Sequence, residues 1–401
     1  MEIKRILFIT TTNLFSNPRL VKELSYFSNK GYSIKVICFK IGTGDTESTI
    51  IEKKLSNVEF VHLSALQSPF LPWFISSSIQ KFSKSLWLFF KTNLLLTTYA
   101  SNKRSILINQ SLRKAVPNYD LVIAHTLGAL YPAYSFSQKH RIPFSFDMED
   151  YHPGELIKTD VENEKYRREI LLKNILPNSF YTSFASPLFK TALEKILQKD
   201  IPKSVVIHNG FHQHEFNFID PLKNEDKVQL IWYSLTIAEG RGLEKILPTL
   251  AKYSTKVHLT LVGNLSKDFD EKYQISSSSF ITHKGFLPQE KLHQLLCEAD
   301  VGLALEQVDT DLNRNLCLTN KIISYCQAGI YIFASNTTAQ KNLIDNYPDL
   351  GVISTNFNND LIVVINDIKK IRANKMKRFQ LGGQFSWESE QKKLDELIQH
   401  V

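Results

Sequence analysis

Short runs of β-branched and aromatic residues alternate with helical stretches along most of the chain, and this alternation constrains the fold more than any other feature. Strand, helix and strand in repeating order close most simply as a parallel sheet with helices on its faces, which is α/β architecture. In the first half, strand patterns lie at Arg5–Thr10, Ser33–Phe39, Val58–Leu63, Asp120–His125 and Pro143–Asp147. A helix is expected from Pro18 to Lys30, with Ser16 or Asn17 as its cap and Gly31 as its stop. A second is expected over Ala129–His140. The other half repeats the scheme, with strands at Val228–Ser234, Val257–Gly263, Val301–Glu306 and Ile330–Ser335. Helices are expected between them at Leu243–Tyr253, Lys291–Asp300 and Asn320–Gln327. No short-period repeat is visible, which argues against a solenoid. With 401 residues, two successive α/β domains divided near Lys199–Asn209 are the economical reading.

Several classes are excluded. The composition, 43% hydrophobic and 22% charged, is that of a globular chain. The apolar runs at Ser85–Lys91 and Asn93–Ala100 fall short of the roughly 18–20 residues a membrane span needs. The N-terminus enters a strand pattern without signal-peptide features. Four cysteines form no CxxC pair, so neither a disulfide framework nor a thiolate zinc site is expected, and a reducing cytoplasm is the expected compartment. No GxGxxG follows the first strand, and no P-loop or GxSxG motif is present.

The net charge of +8 is unevenly distributed. Residues 1–200 carry +9 and residues 201–401 carry −1, and Met1–Phe146 alone carries +11. Such a surface attracts an anionic membrane or phosphorylated acceptor, or simply keeps the chain soluble. The stretch Gln67–Arg104 is aromatic-rich and bears only positive charges. It reads either as interfacial helices on an anionic membrane or as a segment whose Trp73, Phe74, Phe82, Trp87 and Phe90 pack into the first domain. No DNA- or RNA-reading motif appears, so nucleic acid is not an expected partner.

Ligands of open parallel sheets sit beyond the carboxyl ends of the strands. The loops that follow strands are therefore Thr10–Arg19, His125–Gly128, Asp147–His152, Ser234–Gly242, Gly263–Asn264 and Glu306–Lys321. Thr236, Gly240, Arg241 and Gly242 combine close backbone approach, a helix start and a guanidinium, a set suited to diphosphate. An ordinary turn with a surface arginine would look the same. Asn320 and Lys321, at a helix start, suit phosphate or sugar hydroxyls, or are a cap and a solvated lysine. His125 and the cluster Asp147, Glu149, Asp150 and His152 suit proton transfer with an acceptor hydroxyl, metal ligation, or a plain polar loop.

Taken in order, several segments resemble glycosyltransferase family 4. They are SNPRLVKELSYFSNKGYSIKVICF, DLVIAHTLGAL, PFSFDMEDYHPGE, VVIHNGFHQHEF, IWYSLTIAEGRGLEKIL, LTLVGN, KGFLPQEKLHQLLCEADVGLAL, TNKIISYCQAGIYIFAS and FSWESEQKKL. The resemblance implies the GT-B fold, with an acceptor-binding Rossmann-like domain at 1–200, a donor-binding one at 201–375 and a closing helical segment at 376–401 that returns to the first. It implies a retaining, metal-independent transfer of sugar from a nucleotide-diphosphate sugar to a glycan or lipid-linked acceptor, with no cofactor. The protein would be cytoplasmic and peripheral to the inner face of the membrane.

On the same resemblance, Arg241, His125 and Glu149 are the catalytic residues. Thr236, Gly240, Arg241, Gly263, Phe286, Asn320, Lys321 and Ser324 would bind donor. Asn13, Asn17, Arg19, His125, Asp147, Glu149 and Asp150 would bind acceptor. Thr236 stands where many members carry arginine, and Glu149 where many carry histidine. The two glutamates of the family's donor loop correspond to Leu316 and Ser324. Two other functions are compatible with this architecture: a nucleotide-sugar 2-epimerase and a non-catalytic transferase-like binding protein.

Overall fold

The computed structural model describes residues 3–198, 200–201, 203–221, 227–307 and 311–398. The expected break at Lys199–Asn209, the loop after Glu306 and the closing segment each run partly over residues outside this set. The chain divides into two compact units, one of Met1–Ile207 with Lys393–Val401 and the other of His208–Lys392.

The first unit contains β1 (Arg5–Ile9), β2 (Ser33–Lys40), β3 (Val58–Ser64), β4 (Leu121–His125), β5 (Phe144–Met148), β6 (Thr182–Phe184) and β7 (Ser204–Val206). They form one parallel sheet in the order β3-β2-β1-β4-β5-β6-β7. β1 is central: Phe8 lies beside Val36 of β2 and Ile123 of β4. Both faces of such a strand are covered by helices, which is why Ile6 to Ile9 form an unbroken apolar run with no exposure. The second unit contains β8 (Val228–Ile237), β9 (Val257–Leu265), β10 (Ile281–His283), β11 (Val301–Ala304), β12 (Tyr331–Ser335) and β13 (Gly351–Ser354). Its parallel order is β10-β9-β8-β11-β12-β13. Its core joins Leu230, Trp232, Leu259, Leu261, Leu303 and Phe333 to Leu361 and Val364 of a covering helix. In each unit the strand order reverses beside the first strand, between β1 and β4 and between β8 and β11, which is where open α/β sheets bind ligands. The expected α/β class with two Rossmann-like parallel sheets is therefore what is observed.

The boundaries differ in instructive ways. β8 runs to Ile237, three residues beyond its expected end, because a bulge between Tyr233 and Thr236 resets the register so that Thr236 pairs with Asn264. The helix expected at Leu243–Tyr253 is broken into a 3-10 turn at Leu243–Lys245 and a short helix at Leu247–Lys252. Pro248 has no N–H to give to an i−4 carbonyl, and the break falls just before it. β6, β7, β10 and β13 escape the sequence reading because each is only three or four residues long. Trp87 is buried and its Nε1 donates to Thr97 Oγ1 (3.0 Å), whereas Phe74, Phe82 and Phe90 are exposed. No described helix is long and apolar enough to cross a membrane.

Candidate functional site

The strand ends of the first unit enclose charge. Arg19, on the helix Pro18–Asn29, meets Asp147 at the end of β5 through two parallel bonds, Nε–Oδ2 at 2.6 Å and Nη2–Oδ1 at 2.7 Å. Its third nitrogen donates to the Ile207 carbonyl, and Ser183 Oγ on β6 donates to Asp147 Oδ1 at 2.5 Å. His125, at the end of β4, lies between Glu23 (Nε2–Oε2 3.2 Å) and Asp147 (Nδ1–Oδ2 3.5 Å). Burial opposes all of these charges. Asp147 nevertheless keeps Arg19 above the ordinary guanidinium value, and Arg19 and His125 keep Asp147 below the usual carboxylate range. Glu23 and Asp147 likewise raise His125.

Most of the residues expected to bind acceptor are buried. Arg19, His125, Asp147, Asn17 and Asn13 are 0–2% exposed. Asn17 caps its helix by accepting from Leu20 N (3.0 Å). Asn13 Nδ2 donates to Thr43 O and Asp45 Oδ1, both at 2.9 Å, which fixes the loop. These five residues are bonded to one another or to neighbouring backbone and hold the strand ends in place. Glu149 and Asp150 follow β5 and are partly exposed. Burial, with Asp150 and Asp147 nearby, pushes the Glu149 carboxyl up to about 7. That value suits a group that exchanges a proton near neutrality.

Asp150 lines a polar cavity of about 230 Å³, over the strand-order reversal. Thr11 follows β1; Thr126 and Gly128 follow β4; Asp150 and His152 follow β5; Ser101, Glu164 and Arg168 come from two helices. His152 Nδ1 meets Glu155 Oε1 at 2.9 Å, while its Nε2 is buried without a partner. Arg168 bridges Glu155 (2.5 Å), Glu164 (3.1 Å) and the His152 carbonyl (2.7 Å). Thr126 holds φ +72, rare for a β-branched residue, and shares its hydroxyl with Thr11 at 2.7 Å. A Cβ on Gly128 would meet the Asn102 and Thr11 side chains at 2.4 and 2.8 Å, so both would have to shift to admit one. Glu155, Glu164 and Arg168 were not anticipated from the sequence. In VENEKYRREI the charges recur at helical spacing and read as a solvated face.

The second unit presents the opposite arrangement. Gly240 and Gly242 take left-handed φ of +78 and +86, turning the chain so that Arg241 projects between them. Arg241 is exposed and has no hydrogen bond or ion pair among the described residues. Lys321, at the start of the helix Asn320–Ala328, lies 3.5 Å from Glu306 Oε1 and 4.9 Å above the Trp232 ring. Burial lowers its affinity for a proton; Glu306 opposes this and the nearby Arg241 adds to it. Thr236 and Phe286 are exposed, as is Asn320, whose Oδ1 accepts from Asn209 (3.0 Å).

Two residues expected at the donor site have structural roles of their own. Ser324 has no exposure, and its hydroxyl is taken by Tyr233 OH and Lys321 O, both at 2.8 Å. Gly263 lies inside β9 at φ +135, where a Cβ would stand 1.8 Å from Ser234 O, so the strand bulge demands glycine. The short helix after Arg241 also offers little of the expected helix-terminus field.

Three groups of ligating side chains hold atoms within 4.8 Å of one another: Cys38–Glu52–His62, His212–His214–Glu388 and Glu23–His125–Asp147. In the last, Asp147 is already paired with the cationic Arg19. In the first, burial pushes the Cys38 thiol up to about 12.

No protein-family model and no curated protein matches the chain. Solved structures do. Anabaena HepE, crystallised with UDP-glucose, is 14% identical with a TM-score of 0.65 over 99% of this chain and 100% of that one. A glycosyltransferase from Rickettsia africae is 14% identical with a TM-score of 0.66, covering 100% of this chain and 99% of that one. Sucrose-phosphate synthase from Thermosynechococcus elongatus is 12% identical with a TM-score of 0.64, covering 99% of this chain and 98% of that one. The two-sheet fold is thus that of GT-B glycosyltransferase structures.

Proposed function

We propose that the protein is a retaining glycosyltransferase of the family 4 type. It moves a sugar from a nucleotide-diphosphate sugar to a hydroxyl of a lipid-linked or growing surface-polysaccharide glycan. The observation that carries this reading is Arg241, exposed between the left-handed Gly240 and Gly242 with no partner among the described residues, beyond the strand-order reversal of the second sheet. A diphosphate there supplies the anion that Arg241 lacks among the described residues, with Lys321, held by Glu306, as a second cation at the same strand ends. The HepE structures with UDP and with UDP-glucose support a uridine nucleotide as the first donor to try.

When the anomeric bond breaks, negative charge builds on the departing diphosphate and positive charge on the sugar. Cations already in place stabilise that charge without reorganising. In this reading Arg241 and Lys321 do this work, so no metal is assigned, and the acceptor hydroxyl attacks from the face the leaving group vacates. Gly240 lets the donor approach the turn, and Thr236, Phe286 and Asn320 supply its outer contacts. Glu149, whose carboxyl is raised to about 7, and Asp150, which lines the polar cavity, handle the acceptor hydroxyl. The expected setting is the cytoplasm, at the membrane's inner face.

One observation favours a binding-only protein instead: the Ser324 hydroxyl is committed to Tyr233 and Lys321, so that position offers no ribose acceptor. Thermal shift with UDP, UDP-glucose and other nucleotide sugars decides the first step, since a ligand of the folded state raises its melting point. No shift with any of them ends the proposal. A shift with no donor hydrolysis and no transfer to any glycan selects the binding-only reading. Release of an epimerised donor without acceptor selects an epimerase.

A further inference from the structure

The helix Phe70–Trp87 is built inside out. Trp73, Ser76, Gln80, Ser83 and Trp87 recur at helical spacing and form one stripe. That stripe faces the protein. Ser76, Ser83 and Trp87 are buried, and Gln80 Nε2 donates to Ala100 O at 3.3 Å. The opposite stripe is apolar and faces water: Leu71, Phe74, Ile75 and Phe82 are 64%, 51%, 41% and 68% exposed. The turn that follows adds Leu88, Phe89 and Phe90, with Phe89 82% exposed. A helix serving only its own core places these residue types the other way round. A contiguous apolar surface of this kind marks an interaction site.

Its electrostatic setting identifies the partner. Between Glu59 and Asp120 the chain has seven Lys and Arg and no acidic residue. Lys81 and Lys91 are exposed among the apolar side chains. Lys84 is partly engaged by Asp160, and Lys103 by Ser77 Oγ (3.0 Å) and the Trp73 ring. We propose that this face docks on an anionic phospholipid bilayer, with the helix lying in the plane of the interface. Aromatic and aliphatic side chains enter the acyl boundary while lysines meet the headgroups. The helix is not apolar enough to cross the membrane. A second copy would bring the same positive charges against themselves, so self-association is disfavoured. The inference does not depend on sugar transfer.

Sedimentation of the full-length protein with vesicles tests it. One set is phosphatidylcholine alone, the other phosphatidylcholine mixed with phosphatidylglycerol, each in low and high salt. The wild type is expected in the pellet with the mixed vesicles at low salt and increasingly in the supernatant as salt rises. K81E/K91E is expected to weaken partitioning by about fivefold or more per lysine. F82S/F89S is expected to weaken it by about tenfold or more even at low salt. All four side chains are exposed, so both variants should keep the wild-type circular dichroism spectrum. A wild type that stays in solution with both vesicles overturns the proposal. So does F82S/F89S binding as wild type, or a wild-type dimer that F82S/F89S converts to monomer, which would assign the face to a second copy.

Discussion

The two sheets share an architecture and use charge in opposite ways at corresponding places. Beyond β4 and β5, Arg19 is fork-bonded to Asp147, His125 is held by Glu23, and none of the four is exposed. Beyond β8 and β11, Arg241 stands in solvent with no partner among the described residues, near a second cation. A compensated interior network makes structure, because removing one member strands another in a medium that cannot solvate it. An uncompensated cation at a strand end is available to a ligand. Position beyond a strand is therefore not enough to assign a binding role; what decides is whether the charge is already satisfied.

The sharpest way to break this contrast is Arg19→Met. It leaves Asp147 buried without its guanidinium, and a loss of about 3–5 kcal/mol in urea unfolding is expected. Stability near that of the wild type would show the network is dispensable. Arg241→Ala should do the reverse: turnover falls by about a hundredfold or more, while stability stays within about 0.5 kcal/mol of wild type. Near-normal turnover would remove Arg241 from the diphosphate site. Gly263→Ala separates fold from function inside the second unit. Its clash with Ser234 O and its φ should cost about 2 kcal/mol or more. A Gly263→Ala protein as stable as the wild type would show that the bulge tolerates a side chain.

The smallest expected effect is on pH. The Glu149 carboxyl is raised to about 7, above its value in the unfolded chain. Its stabilising contribution is therefore present in acid and lost as pH rises through about 7. Glu149→Gln should melt higher than wild type well above that pH, by about 1 kcal/mol, and equally in acid. If the ionised carboxylate takes the acceptor proton, wild-type turnover falls on acidification through about 7 and the variant loses that dependence. Identical melting profiles for the two proteins would place Glu149 outside the coupled cluster.

Legibility in the sequence followed burial. Arg5–Ile9 and Ser33–Lys40 announce themselves by their apolar runs, as central strands do, and Val257–Leu265 by the alternation of Val257, Leu259 and Leu261 with polar residues. Thr182–Phe184 and Ile281–His283 do not, since three residues carry no period. The Gly-Arg-Gly turn was readable because its φ values require glycine on both sides of Arg241. The interior fate of Asn17, Arg19, His125 and Asp147 was not, because a polar residue after a strand looks the same whether it turns inward or outward. Ser324 and Gly263 were obscured for a related reason. Their roles depend on Tyr233 and Ser234, at a bulge that no local pattern signals. The cavity draws Glu164 and Arg168 from a helix distant in sequence, and only tertiary packing makes that association.

The seating of Lys321 over the Trp232 indole has an optical corollary. An anion drawn to Lys321 would alter the charge held above that ring, and with it the intensity of the ring's emission. The pocket thus carries its own fluorophore. Titrating nucleotide into a protein whose other three tryptophans are replaced by phenylalanine would report occupancy without any label, and an unchanging spectrum at saturation would mean that the ammonium never leaves its perch.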